Sequence, residues 1–223
     1  MGQIFRLSHL KDAGRWGAYM SMGRRIGILI PLLIFLAGCG GVSPFFTDDF
    51  SDPASGWGAA TPEEYMRGYQ QGRYLMQIDV PGWFVWATAG RMYEDTAVEV
   101  SLRSEGAQDN HYGVVCRYAD GQFYYFAISA DGYYAIFRYA DAGELVPLTG
   151  AAMLRSSLIK TDGTDNHLLA VCEGPRLTLF VNGEQVAQVR DKTLTRGDVG
   201  MAAGTVDQGG TIVWFDNFDV RKP

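Results

Sequence analysis

Cysteine, histidine and basic residues are all scarce in this chain. It has three cysteines and three histidines among 223 residues, and their spacing does not fit the paired ligands of a zinc site. The first 38 residues hold five of the 19 basic and one of the 25 acidic side chains, which leaves 14 against 24 in the remainder. Such an acidic domain repels nucleic acid, so we expect no nucleic-acid partner.

Motifs of several common catalytic sites are also absent. The sequence contains no nucleophile elbow, no glycine-rich phosphate loop and no dinucleotide-binding fingerprint. These absences argue against hydrolases that use the nucleophile elbow, and against enzymes that bind nucleotides or dinucleotide cofactors through those loops.

An apolar run near the start of the chain, residues 26–36, is about half as long as the roughly 20 residues that a membrane-spanning helix needs. Two arginines precede it, and Leu-Ala-Gly-Cys at 36–39 closes it. This order of basic, apolar and small residues is typical of a secretory signal. Because it ends on Cys39, it resembles the signal of bacterial lipoproteins, in which the thiol is acylated, with palmitate for example, and the chain is cut just before it.

The resemblance to a lipoprotein signal implies a division of the chain. We expect residues 1–38 to be a signal peptide with a helical apolar run, and its true start to be Met20 or Met22. Residues 39–46 would be the acylated cysteine and a tether, and residues 47–221 a single domain. Two or three acyl chains give stable attachment, so we expect a lipid-anchored protein of the cell envelope on the extracytoplasmic side of a bacterial membrane.

The two other cysteines, Cys116 and Cys172, lie within apolar, strand-like runs. An extracytoplasmic location permits a disulfide between them. A buried thiol also packs well as a small hydrophobic group. The sequence leaves both alternatives open, and the free buried thiols are the interpretation we favour.

After the signal, the sequence shows short β-branched and aromatic runs separated by turn residues, and no convincing helix. Asn-Gly at 182–183, between two such runs, is the strongest hairpin signal. Many short strands at this spacing predict an antiparallel sandwich or barrel. The predicted strands cover residues 74–80, 83–88, 97–103, 112–118, 123–129, 133–139, 167–172, 177–181, 185–190, 199–204 and 211–220.

Several motifs together suggest a family. They are Asp-Asp-Phe-Ser-Asp at 48–52, Gly-Trp at 56–57, Tyr-Gly-Val-Val-Cys-Arg-Tyr at 112–118, Leu-Thr-Leu-Phe-Val-Asn-Gly at 177–183, Gly-Asp-Val-Gly at 197–200 and Phe-Asp-Asn-Phe-Asp-Val at 215–220. The set resembles the concanavalin A-like, laminin G-like jelly roll of exported bacterial proteins, including relatives of the 3-keto-disaccharide hydrolase domain. The resemblance implies an all-β fold of two antiparallel sheets packed face to face, one of them concave. It does not fix the function, because this fold hosts lectins, glucanases, lyases and adhesion modules.

Alternation along the strands separates core from surface side chains, because successive residues point to opposite faces of a sheet. The predicted core residues are Val98, Val100, Leu102, Val114, Cys116, Tyr124, Phe126 and Ile128.

The opposite faces of these strands supply the predicted binding site. If the strands are neighbours, Glu99, Arg117, Tyr125 and Tyr133 share one polar and aromatic surface, and Trp86 is a further candidate. Flat aromatic rings with a few planar polar groups suit a sugar ligand. An arginine within an apolar strand needs a partner, which would be Glu99 or the ligand.

The sequence therefore favours a non-catalytic domain that binds glycan on its concave sheet. One alternative is a glycoside hydrolase, which needs two carboxylates roughly 5 to 9.5 Å apart. The Glu-x-Asp-x-Glu strand motif of laminarinase-type jelly rolls is absent, and Glu99, tuned by Arg117, is the most plausible catalytic residue. The other alternative is a module that binds an extracellular protein or has a structural role in the envelope.

A structural calcium ion is the one cofactor that the sequence suggests. Asp48, Asp49, Asp52 and Asp216 would converge where the two chain ends meet, and carboxylates are preferred calcium ligands. The same acidic residues are also common in ordinary turns.

Overall fold

A computed structural model of the chain describes residues 45–140 and 143–223. The signal peptide, Cys39 and most of the tether lie outside the described residues. Those residues form strands and no α-helix, and they contain no helix long and apolar enough to cross a membrane. The strands are β1 (Phe46–Asp48), β2 (Tyr65–Gln70), β3 (Arg73–Ile78), β4 (Phe84–Tyr93), β5 (Thr96–Gly106), β6 (Asn110–Ala119), β7 (Gln122–Ile128), β8 (Tyr133–Tyr139), β9 (Leu145–Pro147), β10 (Leu154–Arg155), β11 (Asn166–Glu173), β12 (Arg176–Val181), β13 (Glu184–Arg190), β14 (Gly197–Thr205) and β15 (Thr211–Arg221).

The strands form two antiparallel sheets. Sheet A has the order β13-β12-β11-β5-β15-β3-β2, and β1 pairs with β15. Sheet B has the order β10-β8-β7-β6-β14-β4, and β9 pairs with β8. The sheets pack face to face, which confirms the predicted all-β sandwich.

The core lies between the two sheets. The predicted core residues of β5, β6 and β7 are all fully buried there. Each Val, Leu or Phe side chain of this kind contributes about 1.5–3 kcal/mol by burial. The hydrophobic alternation of the sequence therefore positions both sheets correctly with respect to the core.

A disulfide crosses this core. Cys116 on β6 of sheet B is bonded to Cys172 on β11 of sheet A, 56 residues later. Our preference for two free buried thiols was therefore wrong. Alternation places each side chain on the inner face of its strand, but it cannot show that the two residues face each other across the sandwich.

The beginning and the end of the domain are joined in sheet A. Phe46 pairs with Val220, and the Phe45 N–H donates to the Val220 carbonyl at 2.7 Å. The Trp57 ring packs edge-on against Phe218, with 4.7 Å between ring centroids. The opening and closing motifs of the sequence thus lie side by side.

Candidate functional site

The outer face of sheet B carries a second apolar cluster, separate from the core. We call it the aromatic face and define it by the rings of Phe84, Trp86, Tyr118, Phe123, Tyr125 and Tyr139. Phe123 and Tyr139 stack with their centroids 4.7 Å apart. Trp86 lies 5.6 Å from each of these two rings.

The contacts of Phe84 show that the aromatic face is concave. Phe84 lies on the edge strand β4, and three strands separate it from β8, yet its ring centroid is 5.5 Å from that of Tyr139. Four strand spacings of about 4.8 Å would separate the two backbones by roughly 19 Å in a flat sheet. The rings meet because the sheet curves towards its outer face.

Small residues form the floor of this curved sheet. Ala202, Gly113, Ala127 and Ala135 stand side by side on four adjacent strands, β14, β6, β7 and β8. Larger side chains from the flanking positions lie over them. The concave side is therefore partly filled by the protein's own rings, and the accessible part lies at its margin.

A cavity of about 590 Å³ opens at this margin, beside β4. Its volume is within the range typical of small-ligand sites. Trp83 is 40% exposed, and Trp86 and Tyr139 are half-buried, so all three rings offer surface to a ligand. We call this cavity the aromatic pocket; its lining residues are Gly82, Trp83, Phe84, Trp86, His111, Tyr139, Gly143, Leu145, Thr205 and Val206.

A second depression of about 380 Å³ lies next to the aromatic pocket and shares Trp83, Phe84 and Trp86 with it. Arg67 lines this second depression, where its Nη1 donates to the Trp57 carbonyl at 2.9 Å and to the Tyr74 hydroxyl at 2.8 Å. The shared rings of β4 thus form a ridge between two hollows.

His111 is the polar ring of the aromatic pocket. Its Nδ1 is hydrogen-bonded to the Tyr125 hydroxyl at 3.1 Å. Burial lowers the pKa of His111 to about 4, and the nearby Asp109 carboxylate opposes this effect only in part. Burial also raises the pKa of Tyr125 well above its ordinary value. Both groups are therefore neutral at neutral pH.

Gly204 makes room for this imidazole. A Cβ atom at position 204 would lie 2.3 Å from the Cε1 atom of His111, far inside van der Waals contact. The absence of a side chain on β14 thus allows the ring of His111 to lie against the neighbouring strand.

The structure separates the predicted ligand residues. Trp86 lines the aromatic pocket. Tyr125 lies on the same face but is fully buried. Its ring is 5.2 Å from that of Phe84, so it packs beneath a residue that lines the pocket. Tyr133 shares the outer face of β8 with Ala135 by alternation, but it is paired with β10 and does not line the pocket.

Arg117 is not on the aromatic face, contrary to our prediction. A β-bulge in β6, with φ of +57° at Arg117, reverses the alternation at this point. The side chain is 2% exposed and turns inward, while Tyr118 occupies the outer face. Its ion-pair partner is Asp95 at 3.1 Å rather than Glu99.

Glu99 lies on the opposite side of the molecule from the aromatic pocket. It is on β5 of sheet A, whereas β6 and β7 belong to sheet B, so the assumed strand neighbours are not neighbours. Val98 and Val100 face the core, which leaves Glu99 on the outer face of sheet A. There it pairs with Arg221 at 2.7 Å.

The carboxylates of the four calcium candidates accept hydrogen bonds from, or form an ion pair with, groups of the protein itself. Asp48 accepts hydrogen bonds from the Phe50 N–H and the Trp57 Nε1–H, both at 2.8 Å. Asp49 and Asp52 accept bonds from residues two positions further on, within their own turns. The fourth, Asp216, is 3.4 Å from Arg73. Within residues 45–140 and 143–223, no group of three or more His, Cys, Asp or Glu side chains is arranged to hold a metal ion.

The sequence reasoning missed several residues of the pocket. Phe84 could have been found, because it shares the alternation of Trp86 on β4. His111 and Thr205 stand at the boundaries of strands, where alternation is a weak guide. Tyr139 comes from β8, whose closeness to β4 depends on the curvature of the whole sheet.

Comparisons with known proteins support the fold. A search against models of protein families found no match, and neither did a search of curated proteins. Among solved structures, the chain is similar to the carbohydrate binding module CBM66 from Bacillus subtilis, with a TM-score of 0.56, 15% identity, and coverage of 75% of this chain and 93% of that one.

Two further structures show a similar fold. One is a β-glucanase from Bacillus licheniformis, with a TM-score of 0.60, 9% identity, and coverage of 83% and 100%. The other is a protein of unknown function with a galectin-like fold from Bacillus subtilis, with a TM-score of 0.60, 10% identity, and coverage of 81% and 96%. At these identities the similarity concerns the fold alone, which is a concanavalin A-like jelly roll. The finer relation to the 3-keto-disaccharide hydrolase domain stays a prediction.

Proposed function

We propose that this protein is a lipid-anchored lipoprotein of the bacterial cell envelope whose jelly roll binds glycan without cleaving it, in the aromatic pocket. The observation that carries the proposal is the arrangement of Trp83, Trp86 and Tyr139 around a cavity of about 590 Å³. Indole and phenol rings of this kind pack against the apolar C–H faces of sugar rings. The names of similar structures, a carbohydrate binding module and a β-glucanase, agree with a sugar ligand.

The lining of the pocket favours binding over hydrolysis. Glycoside hydrolysis needs two carboxylates on either side of the scissile bond. No Asp or Glu of the described residues lines the aromatic pocket. The predicted alternative, catalysis by Glu99, loses support because that carboxylate lies on the outer face of sheet A and pairs with Arg221.

The first prediction tests the pocket itself. The full-length protein, purified in detergent, is screened on a glycan array, and the affinity for each positive glycan is measured by calorimetry. We expect Trp83→Ala and Tyr139→Ala each to weaken binding at least tenfold, because each removes a flat ring that packs on the C–H face of the sugar; a tenfold loss is about 1.4 kcal/mol.

Tyr133→Ala is the matched control for this experiment. It removes an equally large, half-buried ring from the same sheet but outside the pocket, and we expect unchanged affinity. Loss of binding in Tyr133→Ala, with retention in Trp83→Ala, would move the site away from the pocket.

The second prediction concerns the anchor. We expect Cys39→Ser to abolish labelling of the protein by a palmitate analogue and to release it from the membrane fraction, since the thiol is the proposed site of acylation. Cell fractionation with metabolic labelling measures both effects. Cys116→Ser and Cys172→Ser should keep the label, and a labelled Cys39→Ser protein would refute the anchor.

A further inference from the structure

The aromatic pocket has an uncharged lining. Its polar side-chain groups are the His111 imidazole, the Tyr139 and Thr205 hydroxyls and the indole N–H groups of Trp83 and Trp86, and within the described part of the chain no Lys, Arg, Asp or Glu side chain contributes to its wall. At neutral pH, His111 adds no charge either. A ligand bound there meets rings, methyl groups and neutral dipoles.

Two of the polar groups of the wall are engaged within the protein. The Thr205 hydroxyl is already used, because it donates to the Val80 carbonyl at 2.8 Å and accepts from the Trp83 N–H at 3.1 Å. One imidazole nitrogen of His111 is engaged by Tyr125. The pocket therefore offers an anion only neutral N–H and O–H donors and no cation.

Negative charges adjoin the pocket. Asp109 lies close enough to influence His111, and its carboxylate accepts the Asp207 N–H at 3.0 Å. Arg67, a cation that lines the second depression, donates to two groups of the protein itself. The chain after residue 38 also carries ten more acidic than basic side chains.

We propose that the aromatic pocket takes an uncharged sugar residue and excludes sugars that carry a carboxylate, such as uronic and sialic acids. This inference rests on the proposed function and names its class of ligand. A carboxylate that enters the pocket loses its water without gaining a cation, which is costly. A neutral pyranose has no charge to remove from water, and its C–H faces pack on Trp83, Trp86 and Tyr139.

The test compares polymers that differ only in the carboxylate. The full-length protein in detergent is titrated with polygalacturonate and with the same polymer after chemical reduction of its carboxyl groups, and likewise with polymannuronate and polyglucuronate. A glycan array of neutral and acidic sugars accompanies these pairs. We expect binding to at least one neutral glycan, and at least tenfold weaker binding to its uronate counterpart.

Salt and two lysine variants locate the cause of the exclusion. In 0.5 M NaCl the repulsion from the acidic domain surface is largely screened, so a discrimination that persists belongs to the pocket. Val206→Lys places a cation in the wall of the pocket, and we expect it to raise uronate affinity about tenfold. Leu158→Lys makes the same charge change at an exposed apolar residue elsewhere, and it should leave uronate affinity unchanged.

The outcomes separate the two proposals. Equal affinity for a neutral polymer and its uronate, or discrimination that vanishes in 0.5 M NaCl, overturns the inference and leaves glycan binding intact. Absence of binding to every glycan, neutral or acidic, overturns the proposed function and this inference together.

Discussion

Arg117 organises one end of the sandwich from a fully buried position. Its Nε donates to the Glu94 carbonyl at 2.9 Å, and its Nη1 donates to the carbonyls of Gly174 and Leu194 at 2.8 and 2.9 Å. Its Nη2 donates to the Asp95 carboxylate at 3.1 Å. One planar guanidinium thus joins three connecting segments, which a flexible lysine ammonium with three donors cannot reproduce.

The third prediction follows from these contacts. We expect Arg117→Met to lower the free energy of unfolding by about 2–3 kcal/mol, because it leaves the carbonyls of Glu94, Gly174 and Leu194 without their guanidinium donor and removes the ion-pair partner of Asp95. Urea titration followed by tryptophan fluorescence measures the change. Arg155→Met, an equal substitution of an exposed arginine on β10, should cost less than 0.5 kcal/mol, and a similar loss in both variants would contradict this account.

The fourth prediction uses the titration of His111. Its pKa is about 4 in the folded protein and near 6.5 in the unfolded chain. Between these values the unfolded chain binds more protons than the folded protein. The contribution of His111 to the free energy of unfolding is therefore fully present above about pH 6.5 and is lost as the pH drops towards 4. We expect His111→Asn to flatten this dependence in unfolding curves measured at pH 7.5, 5.5 and 4.5.

His167→Asn is the control for that measurement, because this histidine is exposed and lies on sheet A. The wild-type pH dependence should survive in it. If His111→Asn loses stability between pH 7.5 and 4.5 as steeply as the wild type, the imidazole is not the titrating group.

At the scale of elements, the disulfide is a covalent cross-link between the two sheets. It closes a loop of 56 residues between β6 and β11. Restricting the unfolded chain in this way stabilises the fold by about 4 kcal/mol in the chain-entropy view. It also fixes the strand that leads into the Arg117 bulge.

The fifth prediction is that reduction weakens the domain. We expect Cys116→Ala together with Cys172→Ala to lower the free energy of unfolding by about 4 kcal/mol, measured by urea titration. Wild-type protein unfolded and refolded in dithiothreitol, which keeps both side chains but no bond, is the matched comparison. Stability within 1 kcal/mol of the oxidised protein in that comparison would show that the bridge contributes little.

Strand alternation was a reliable guide where strands are long and regular. The predicted inner faces of β5, β6 and β7 are buried in the core. It failed at Arg117, because one bulge residue changes the side to which the following side chains point. The sequence also missed β1, β2, β9 and β10, of which three have only two or three residues, too short for a pattern to show.

The candidate site was predicted less well than the fold, because it depends on which strands share a sheet. Glu99 and Arg117 follow one another closely in sequence, but they belong to different sheets. The reverse holds for Trp86 and Tyr139, which are far apart in sequence and in strand order but come together through curvature. Local patterns contain neither kind of information.

At the scale of the whole molecule, the aromatic residues serve two clusters. One cluster fills the space between the sheets and includes Trp57 and Phe218, and the other lies on the outer face of sheet B. Composition alone favours the core for most rings. In the structure, the rings that are not in the core lie together on one curved surface, and the pocket lies at the margin of that surface.

The pairing of β1 with β15 determines how the domain responds to mechanical load. If Cys39 anchors the chain and the aromatic pocket holds a glycan, as we propose, a pull would reach the domain at Phe46, beside its partner Val220. The three pairs of this short ladder would then open one after another, and each freed residue would lengthen the attachment by about 3.5 Å. Opening would then reach Asp48, whose carboxylate is bonded to the Trp57 ring nitrogen at 2.8 Å. The first strand would thus peel away as a short extensible leash before the load reaches the strands that carry the pocket.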